Sequence, residues 1–261
     1  MASSEHAEKL EREKEWYRHH GYQPHHPLNS GWLFSKTRND FNYMLPKQVM
    51  ARELERALAG ISAPRVLVAP LGRGEDLPFL RAPGRILSGI DVSPEAMAEV
   101  TDGDVDKREG DMADMKCYRD ETFDAVVVSL FFHHYVRQGF DPFVREALRV
   151  LKPGGALISL EPNSLFPPSW PMRWGRALFG EVTGQLEDEA PFPPFRLAAS
   201  LRRSGFAQVR TLGAGLCHNR TPIPIARAFN AVTAPLLGFF PLSHICWMCV
   251  FTARKPGMRQ A

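Results

Sequence analysis

The chain has 261 residues, of which 44% are hydrophobic, 10% aromatic and 23% charged. This composition can bury a sizeable core, which excludes a disordered chain and a small fold held together by disulfide bonds. Lys and Arg number 32 against 29 for Asp and Glu, and this near balance argues against a nucleic-acid partner. Four cysteines and an N-terminus without a basic-then-apolar segment favour a cytoplasmic protein.

The first 45 residues are predicted to be an arm or lid that precedes a single domain spanning 46–261. Residues 1–20 carry charges of both signs and either form a solvated helix over about 5–19 or are frayed. The stretch 21–42 holds His-Pro turns and several aromatic residues, and it is interpreted as irregular. The histidines of the arm follow no metal-ligand spacing, so no metal site is predicted.

From residue 46 onward, the sequence predicts helices that alternate with strands. A first helix is predicted over 46–59, because apolar residues repeat on one face and a glycine follows. The predicted strands are 65–69, 85–91, 124–132, 156–160, 207–211 and 245–253, and the further helices are 94–100, 142–151 and 195–204. This alternation indicates a Rossmann-like, doubly wound α/β fold with a mostly parallel sheet.

Three features of the predicted loops indicate a nucleoside site, because ligands of such sheets bind beyond the carboxyl ends of the strands. Gly72 and Gly74 follow the first strand, and their turn lets the backbone approach a ligand and offer amides to an anionic group. Asp91 ends the second strand 17 residues later and could accept from both hydroxyls of a ribose. Asp111 and Met112 suit the amine and the ring of adenine.

The ordered motifs resemble those of class I S-adenosylmethionine-dependent methyltransferases, especially the small-molecule and lipid methyltransferases. The resemblance covers about residues 64–163 and is carried by VLVAPLGRG, GIDVSPEAM, EGDMADM, FDAVVVSLFFHHYV and REALRVLKPGGALISLEPN. It implies a seven-stranded sheet with an antiparallel last strand, and S-adenosylmethionine as cofactor. The cofactor-binding positions that it implies are Ala69, Gly72, Gly74, Asp91, Val92, Asp111, Met112 and Ser129.

The chain departs from the pattern of this family at two positions of the cofactor loop. Val68 stands where the family usually has an acid, and Pro70 stands where it usually has the first glycine. The first change removes a partner for the ammonium group of the cofactor, and the second removes a backbone donor. Glu75 or Asp76, just after the loop, could replace the missing acid.

His134 and His133, which follow the fourth strand, are the candidate catalytic bases. Methyl transfer from a sulfonium is an in-line displacement, and a general base assists when the acceptor must lose a proton. Paired histidines at this position could also be structural. Glu161 and the acidic cluster at 187–189 are competing candidates, although the cluster is typical of a solvated turn.

Proline-rich and apolar segments follow the core, and we interpret 162–194 and 217–243 as insertions that shape an acceptor pocket. Residues 231–251 contain no Lys, Arg, Asp or Glu, and this length would span a bilayer. Two prolines and a glycine interrupt the stretch. An apolar cap over the acceptor pocket, with peripheral membrane contact through 223–251, is therefore preferred to a transmembrane helix.

The sequence thus predicts methyl transfer from S-adenosylmethionine to a small or lipophilic acceptor. The first alternative is a catalytically inactive binding or scaffold protein of the same fold, which the changes at Val68 and Pro70 suggest. A nicotinamide-dependent oxidoreductase is a second alternative. Leu77 stands where such an enzyme has its third glycine, which argues against it.

Overall fold

The computed structural model describes residues 2–20, 36–101, 103–170 and 189–257. Its strands are β1 Arg65–Val68, β2 Ile86–Asp91, β3 Val105–Glu109, β4 Phe123–Ser129, β5 Leu151–Pro162, β6 Ala207–Gly213 and β7 Met248–Arg254. They form one sheet in the order β3-β2-β1-β4-β5-β7-β6. β7 pairs antiparallel with β5 and β6, and all other pairs are parallel. The predicted doubly wound sheet with an antiparallel last strand is confirmed.

Helices cover both faces of the sheet. Within the described residues they are α1 Ala2–His20, α2 Lys36–Leu58, α3 Leu77–Leu80, α4 Pro94–Ala98, α5 Asp141–Val150, α6 Pro194–Arg203 and α7 Ile223–Thr233. Apolar residues of α2, α3 and α4 form a buried cluster on one face, and those of α5 and α6 form a second cluster on the other. Successive strand residues alternate between the clusters, as the pleat requires: Val127 of β4 joins the first, and Val126 and Val128 join the second.

Helix α2 begins ten residues earlier than the predicted helix 46–59, so the prediction of irregular structure is wrong for residues 36–42. Asn42 explains the early start, because its buried side chain donates to the carbonyls of Arg38 and Thr221, both at 2.9 Å. These bonds attach the first turns of α2 to a distant loop. Pro46 therefore lies inside the helix rather than in its first turn.

Three predicted strands differ from the structure by three or more residues at one end. The predicted strand 124–132 is too long, because β4 ends at Ser129 and Leu130 adopts a φ of +54°. β5 is longer than 156–160, since its pairing starts at Leu151 and continues through Pro162. β7 begins at Met248 rather than at residue 245.

The predicted insertions are described only in part. Of 162–194, residues 171–188 lie outside the described residues, as do residues 21–35 of the N-terminal arm. The segment 217–243 contains α7 and a short 3₁₀ turn. None of the described helices is both long enough and apolar enough to cross a bilayer.

Candidate functional site

Asp91 stands at the carboxyl end of β2 and is only 5% exposed. The N–H of Gly72 donates to its Oδ2 at 2.7 Å, and the N–H of Ser93 donates to its Oδ1 at 2.9 Å. A carboxylate has about four acceptor positions, so Asp91 retains acceptor capacity beyond its backbone donors. A hydroxyl of a vicinal diol placed at this strand end could use it.

Burial and hydrogen bonding shift the pKa of Asp91 in opposite directions. Burial raises the pKa of its carboxyl group, and the N–H groups of Ser93, Gly72 and Val92 lower it. The half-buried Val92 therefore lies within the turn that holds the carboxylate. Ser93 also caps α4, because its Oγ accepts from the N–H of Ala96 at 3.1 Å.

The two glycines of the cofactor loop have different roles. Gly72 has a φ of +54°, and a Cβ added to it would meet no atom within 4 Å. Gly72 thus borders open space at the edge where a cofactor would lie. Gly74 has a φ of +73°, but its Cβ would come within 2.8 Å of Leu77 and 2.9 Å of Val100. Gly74 is consequently required by packing.

Three backbone N–H groups of this loop have acceptors within the protein. The N–H of Leu71 donates to Ile90 O at 2.8 Å, and that of Gly74 donates to Leu71 O at 3.0 Å. The N–H of Gly72 donates to Asp91. The loop therefore positions the carboxylate of Asp91, and the expectation that it also offers amides to an anionic group stays a prediction.

His6, which the sequence did not single out, contacts the predicted adenine site. Its Nε2 lies 2.6 Å from Oδ2 of Asp111, whose Oδ1 accepts from the N–H of Ala113 at 2.8 Å. Met112 is buried in the same apolar cluster as Phe143, against whose ring His6 packs at 5.8 Å. Helix α1 therefore covers the carboxyl end of β3. The two partners are 105 residues apart, so no local pattern predicts their contact.

The two predicted substitutes for the missing loop acid have different surroundings. Oδ1 of Asp76 lies 3.0 Å from Nζ of Lys47, a buried lysine of α2. Glu75 is 76% exposed, and its carboxylate lies 4.0 Å from the same ammonium. The charge of Asp76 is thus balanced by a lysine. Val68 is buried in the core of β1 and has no polar atom to replace the acid.

Ser129, the last residue of β4, has the polar atom that best indicates a ligand. Its Oγ is buried and makes no hydrogen bond within the described part of the chain. A buried hydroxyl without a partner is costly, so such a group requires an explanation. Ala69 lies at the end of the neighbouring β1, where it is buried and its N–H donates to Val127 O at 2.9 Å. Both residues border the edge to which Asp91 belongs.

Glu161, near the end of β5, is fully buried and holds the chain that follows β4. Its Oε1 accepts from the N–H groups of Phe131 and Phe132 at 2.9 and 2.8 Å. Its Oε2 accepts from the N–H of His133 at 3.3 Å and lies 3.1 Å from His133 Nδ1. The positive φ of Leu130 turns the chain so that these donors converge. All its hydrogen bonds are thus used to position this turn, which makes Glu161 a poor general base.

His133 and His134 lie side by side, with ring centroids 4.3 Å apart, and each faces a carboxylate. Nδ1 of His134 lies 3.1 Å from Oε1 of Glu189, whose acidic neighbours 187 and 188 lie outside the described residues. Burial lowers the pKa of His133, the nearby His134 lowers it further, and Glu161 opposes both effects. The Nζ of Lys9 in α1 donates to the carbonyl of His134, so α1 covers both parts of the site.

The residues present fit S-adenosylmethionine. Asp91 retains acceptor capacity for a ribose hydroxyl, Gly72 leaves open space, and Ser129 has a buried hydroxyl without a partner in the described part of the chain. Asp111 retains acceptor capacity beside the buried Met112. These groups lie at the ends of neighbouring strands, where this type of sheet binds its ligands.

Comparisons with known proteins agree with this geometry. Residues 69–159 match the family described as methyltransferase domain. No curated protein matches the sequence. Among solved structures, the Burkholderia thailandensis 1,6-didemethyltoxoflavin-N1-methyltransferase, with bound S-adenosylhomocysteine, is 18% identical with a TM-score of 0.56. The match covers 97% of this chain and 90% of that chain.

Two further solved structures share the fold. A SAM-dependent methyltransferase from Archaeoglobus fulgidus is 18% identical with a TM-score of 0.53, and 82% of this chain and 98% of that chain are covered. A SAM-dependent methyltransferase from Thermotoga maritima is 17% identical with a TM-score of 0.55, and the match covers 84% of this chain and 95% of that chain. The family match and the fold confirm the resemblance to class I S-adenosylmethionine-dependent methyltransferases.

Proposed function

We propose that this methyltransferase transfers the methyl group of S-adenosylmethionine to an oxygen, nitrogen or carbon atom of a small or lipophilic acceptor. The observation that carries the proposal is Asp91, whose buried carboxylate is held by backbone N–H groups and keeps acceptor capacity at the β2 end. Asp111 and Met112 would hold the adenine, and Ser129 the methionyl part. When bound, the cofactor supplies a sulfonium methyl group for in-line displacement.

The paired histidines would remove the proton that the acceptor must lose. His133 Nδ1 faces Glu161, a carboxylate that only accepts hydrogen bonds, so the ring proton belongs on Nδ1. Nε2 then carries the lone pair and is the basic atom. The lowered pKa of His133 keeps the ring neutral, and therefore able to accept a proton, at neutral pH. His134, held by Glu189, is the second candidate base.

The cofactor assignment is tested by calorimetry of the full chain with S-adenosylmethionine and with its demethylated product. We expect both to bind, and the absence of binding at millimolar concentration would contradict the proposal. Turnover with a panel of small and lipophilic acceptors is measured as the release of the demethylated product. Cofactor that is bound but never consumed, together with a stable protein partner in pull-down experiments, would favour the inactive scaffold protein instead.

The base is tested with His133→Asn, which keeps a donor near the Nδ1 position for Glu161 and removes the Nε2 atom. We expect kcat to fall by about 10²- to 10⁴-fold with unchanged cofactor affinity. The acid limb of the wild-type pH–rate profile should lie below pH 6.5. The ligand atoms of His133, His134 and Glu189 lie within 4.8 Å of one another, so a chelator is included as a control. Loss of activity on chelation would indicate that these three residues bind a metal ion and that His133 is not the general base.

The apolar C-terminal region supports the acceptor class. Residues 217–243 connect β6 to β7, and Gly213 of β6 pairs with Cys249 of β7 beside the carboxyl end of β5. This connection therefore lies at the sheet edge to which His133 and Ser129 belong. A lipophilic acceptor and peripheral membrane contact through 223–251 are part of the proposal, whereas a nucleic-acid acceptor is not.

A further inference from the structure

Helix α7 is amphipathic with the usual orientation reversed. Its apolar residues recur at intervals of three and four, which is the spacing of one helix face, but this face points to solvent. The inner side instead buries the smaller Ala226 and Thr233. We call the outward surface, which continues into the following turns, the apolar face. Its members are 46–78% exposed: Ile225, Phe229, Val232, Leu236, Phe239 and Phe240.

The apolar face is rigidly connected to the candidate acceptor site. The side chain of Asn163, two residues after Glu161, donates to the carbonyls of His244 and Cys246 at 2.7 and 2.8 Å. The N–H of Gly213 donates to Leu237 O at 3.0 Å, which holds the turn after α7 against β6. Exposed phenylalanines in a segment anchored in this way form a surface patch of the kind that binds a partner.

The charged side chains of α7 and of the chain segments that flank it are basic. Every Asp and Glu of the chain precedes residue 190, and the remaining residues to 261 carry only basic groups. Arg227 is the only charged residue of the sequence 223–251 and is exposed, and the exposed Arg220 precedes α7 by three residues. Arg38 of α2 adds a third guanidinium beside them, because its NH1 donates to Arg220 O at 3.3 Å. An apolar surface edged by arginines is complementary to a membrane with anionic headgroups.

We propose that the apolar face docks the protein on an anionic lipid bilayer, with Phe239 and Phe240 in the acyl boundary and Arg220 and Arg227 at the headgroups. The helix lies in the interfacial plane and does not span the membrane, in agreement with its 11 residues. This inference rests on the proposed function. It specifies the acceptor as an amphiphile that reaches the site from the bilayer surface.

Docking is tested by co-sedimentation of the full chain with vesicles, in the absence of cofactor and acceptor. The vesicles are pure phosphatidylcholine or phosphatidylcholine with one third phosphatidylglycerol, each at low and high salt. We expect at least tenfold stronger binding to the anionic vesicles, with the difference reduced at high salt. Equal binding to both compositions, or no binding to either, would overturn the proposal.

Two sets of variants separate the apolar and the electrostatic parts. Phe239→Ser combined with Phe240→Ser should weaken binding to both vesicle types by at least tenfold. Arg220→Gln combined with Arg227→Gln should remove only the preference for anionic lipid. The control is Ile86→Thr, which changes an apolar residue of similar exposure (48%) at the opposite edge of the sheet and should bind as the wild type does.

Two further measurements keep the outcomes distinct. Sedimentation equilibrium of the phenylalanine variant tests whether a second copy covers the apolar face. A change of oligomeric state with unchanged vesicle binding would assign the face to a dimer and reject the bilayer. Calorimetry with S-adenosylmethionine on vesicle-free protein shows whether the cofactor site is intact. Vesicle binding without cofactor binding would reject the proposed function, and the reverse result would reject only the docking surface.

Discussion

The candidate cofactor site around Asp91 and the candidate base site around Glu161 position their polar groups in different ways. At β2, the donors to Asp91 come from residues 2 and 19 positions away in the chain. At β5, the donors to Glu161 come from residues 28–30 positions away. The carboxylate of Asp91 is therefore held by turns next to β1 and β2, whereas the site around Glu161 exists only when β4 and β5 are paired. Changes around Asp91 should alter cofactor affinity, and changes around Glu161 should alter turnover or stability.

The largest effect on cofactor affinity is expected for Asp91→Ala. The variant removes the carboxylate that would accept from the ribose, and hydrogen bonds to a charged group are together equivalent to about a 10²- to 10³-fold change in affinity. Calorimetry with S-adenosylmethionine measures the change. Unchanged affinity would disprove the ribose assignment.

Controls are required because Asp91→Ala also leaves the N–H groups of Gly72 and Ser93 without their acceptor. Asp91→Asn keeps one carbonyl oxygen for these donors and should fold more stably, while its affinity remains well below that of the wild type. Asp114→Asn removes an exposed carboxylate, and we expect it to bind the cofactor normally. A loss of affinity in this control would point to a general effect of charge.

The next effect is on stability and concerns His218, which lies in the connection between β6 and β7. Burial, with a smaller effect of Arg220, lowers its pKa to about 4. Between pH 6.5 and 4 the unfolded chain binds the proton that the folded chain does not, so stability decreases as the pH falls through this range. His218→Gln should remove about 2 kcal/mol of this loss at pH 5.

Urea denaturation of wild type and His218→Gln at pH 8 and pH 5 measures this difference. At pH 8 the histidine is neutral in both states, so the protonation effect is absent. The glutamine carbonyl can still accept from the N–H of Arg220, which lies 3.3 Å from His218 Nδ1. If the two proteins lost equal stability between pH 8 and pH 5, His218 would not be the buried acid-sensitive group.

The smallest effect is expected for Gly72→Ala. The positive φ of Gly72 disfavours a Cβ, so the free energy of unfolding should fall by about 1 kcal/mol although the space is open. Gly103→Ala is the matched control, because it also faces open space and lacks a positive φ. If a cofactor lies against Gly72, affinity should fall by more than the control shows. Equal affinities in the two variants would place the cofactor elsewhere.

Local patterns were sufficient to predict the sheet and the place of Asp91. Alternating apolar runs and helix periods specify strand and helix types, and a carboxylate at a strand end is visible in sequence. The contact between His6 and Asp111 could not be predicted in this way, since the two residues lie 105 positions apart. The same holds for the early start of α2, which depends on the bonds of Asn42 to the loop at 219–221.

The sequence by itself determined the α/β fold, the order of the cofactor motifs and the resemblance to S-adenosylmethionine-dependent methyltransferases, because each rests on residues that are close together in the chain. Only the tertiary structure decided that Glu161 holds the histidine turn and that the apolar residues of α7 face solvent. An amphipathic period shows that a helix has an apolar side, but not whether that side is buried. Which side is buried depends on the free energy of packing against segments distant in sequence, and here α2 packs against α7.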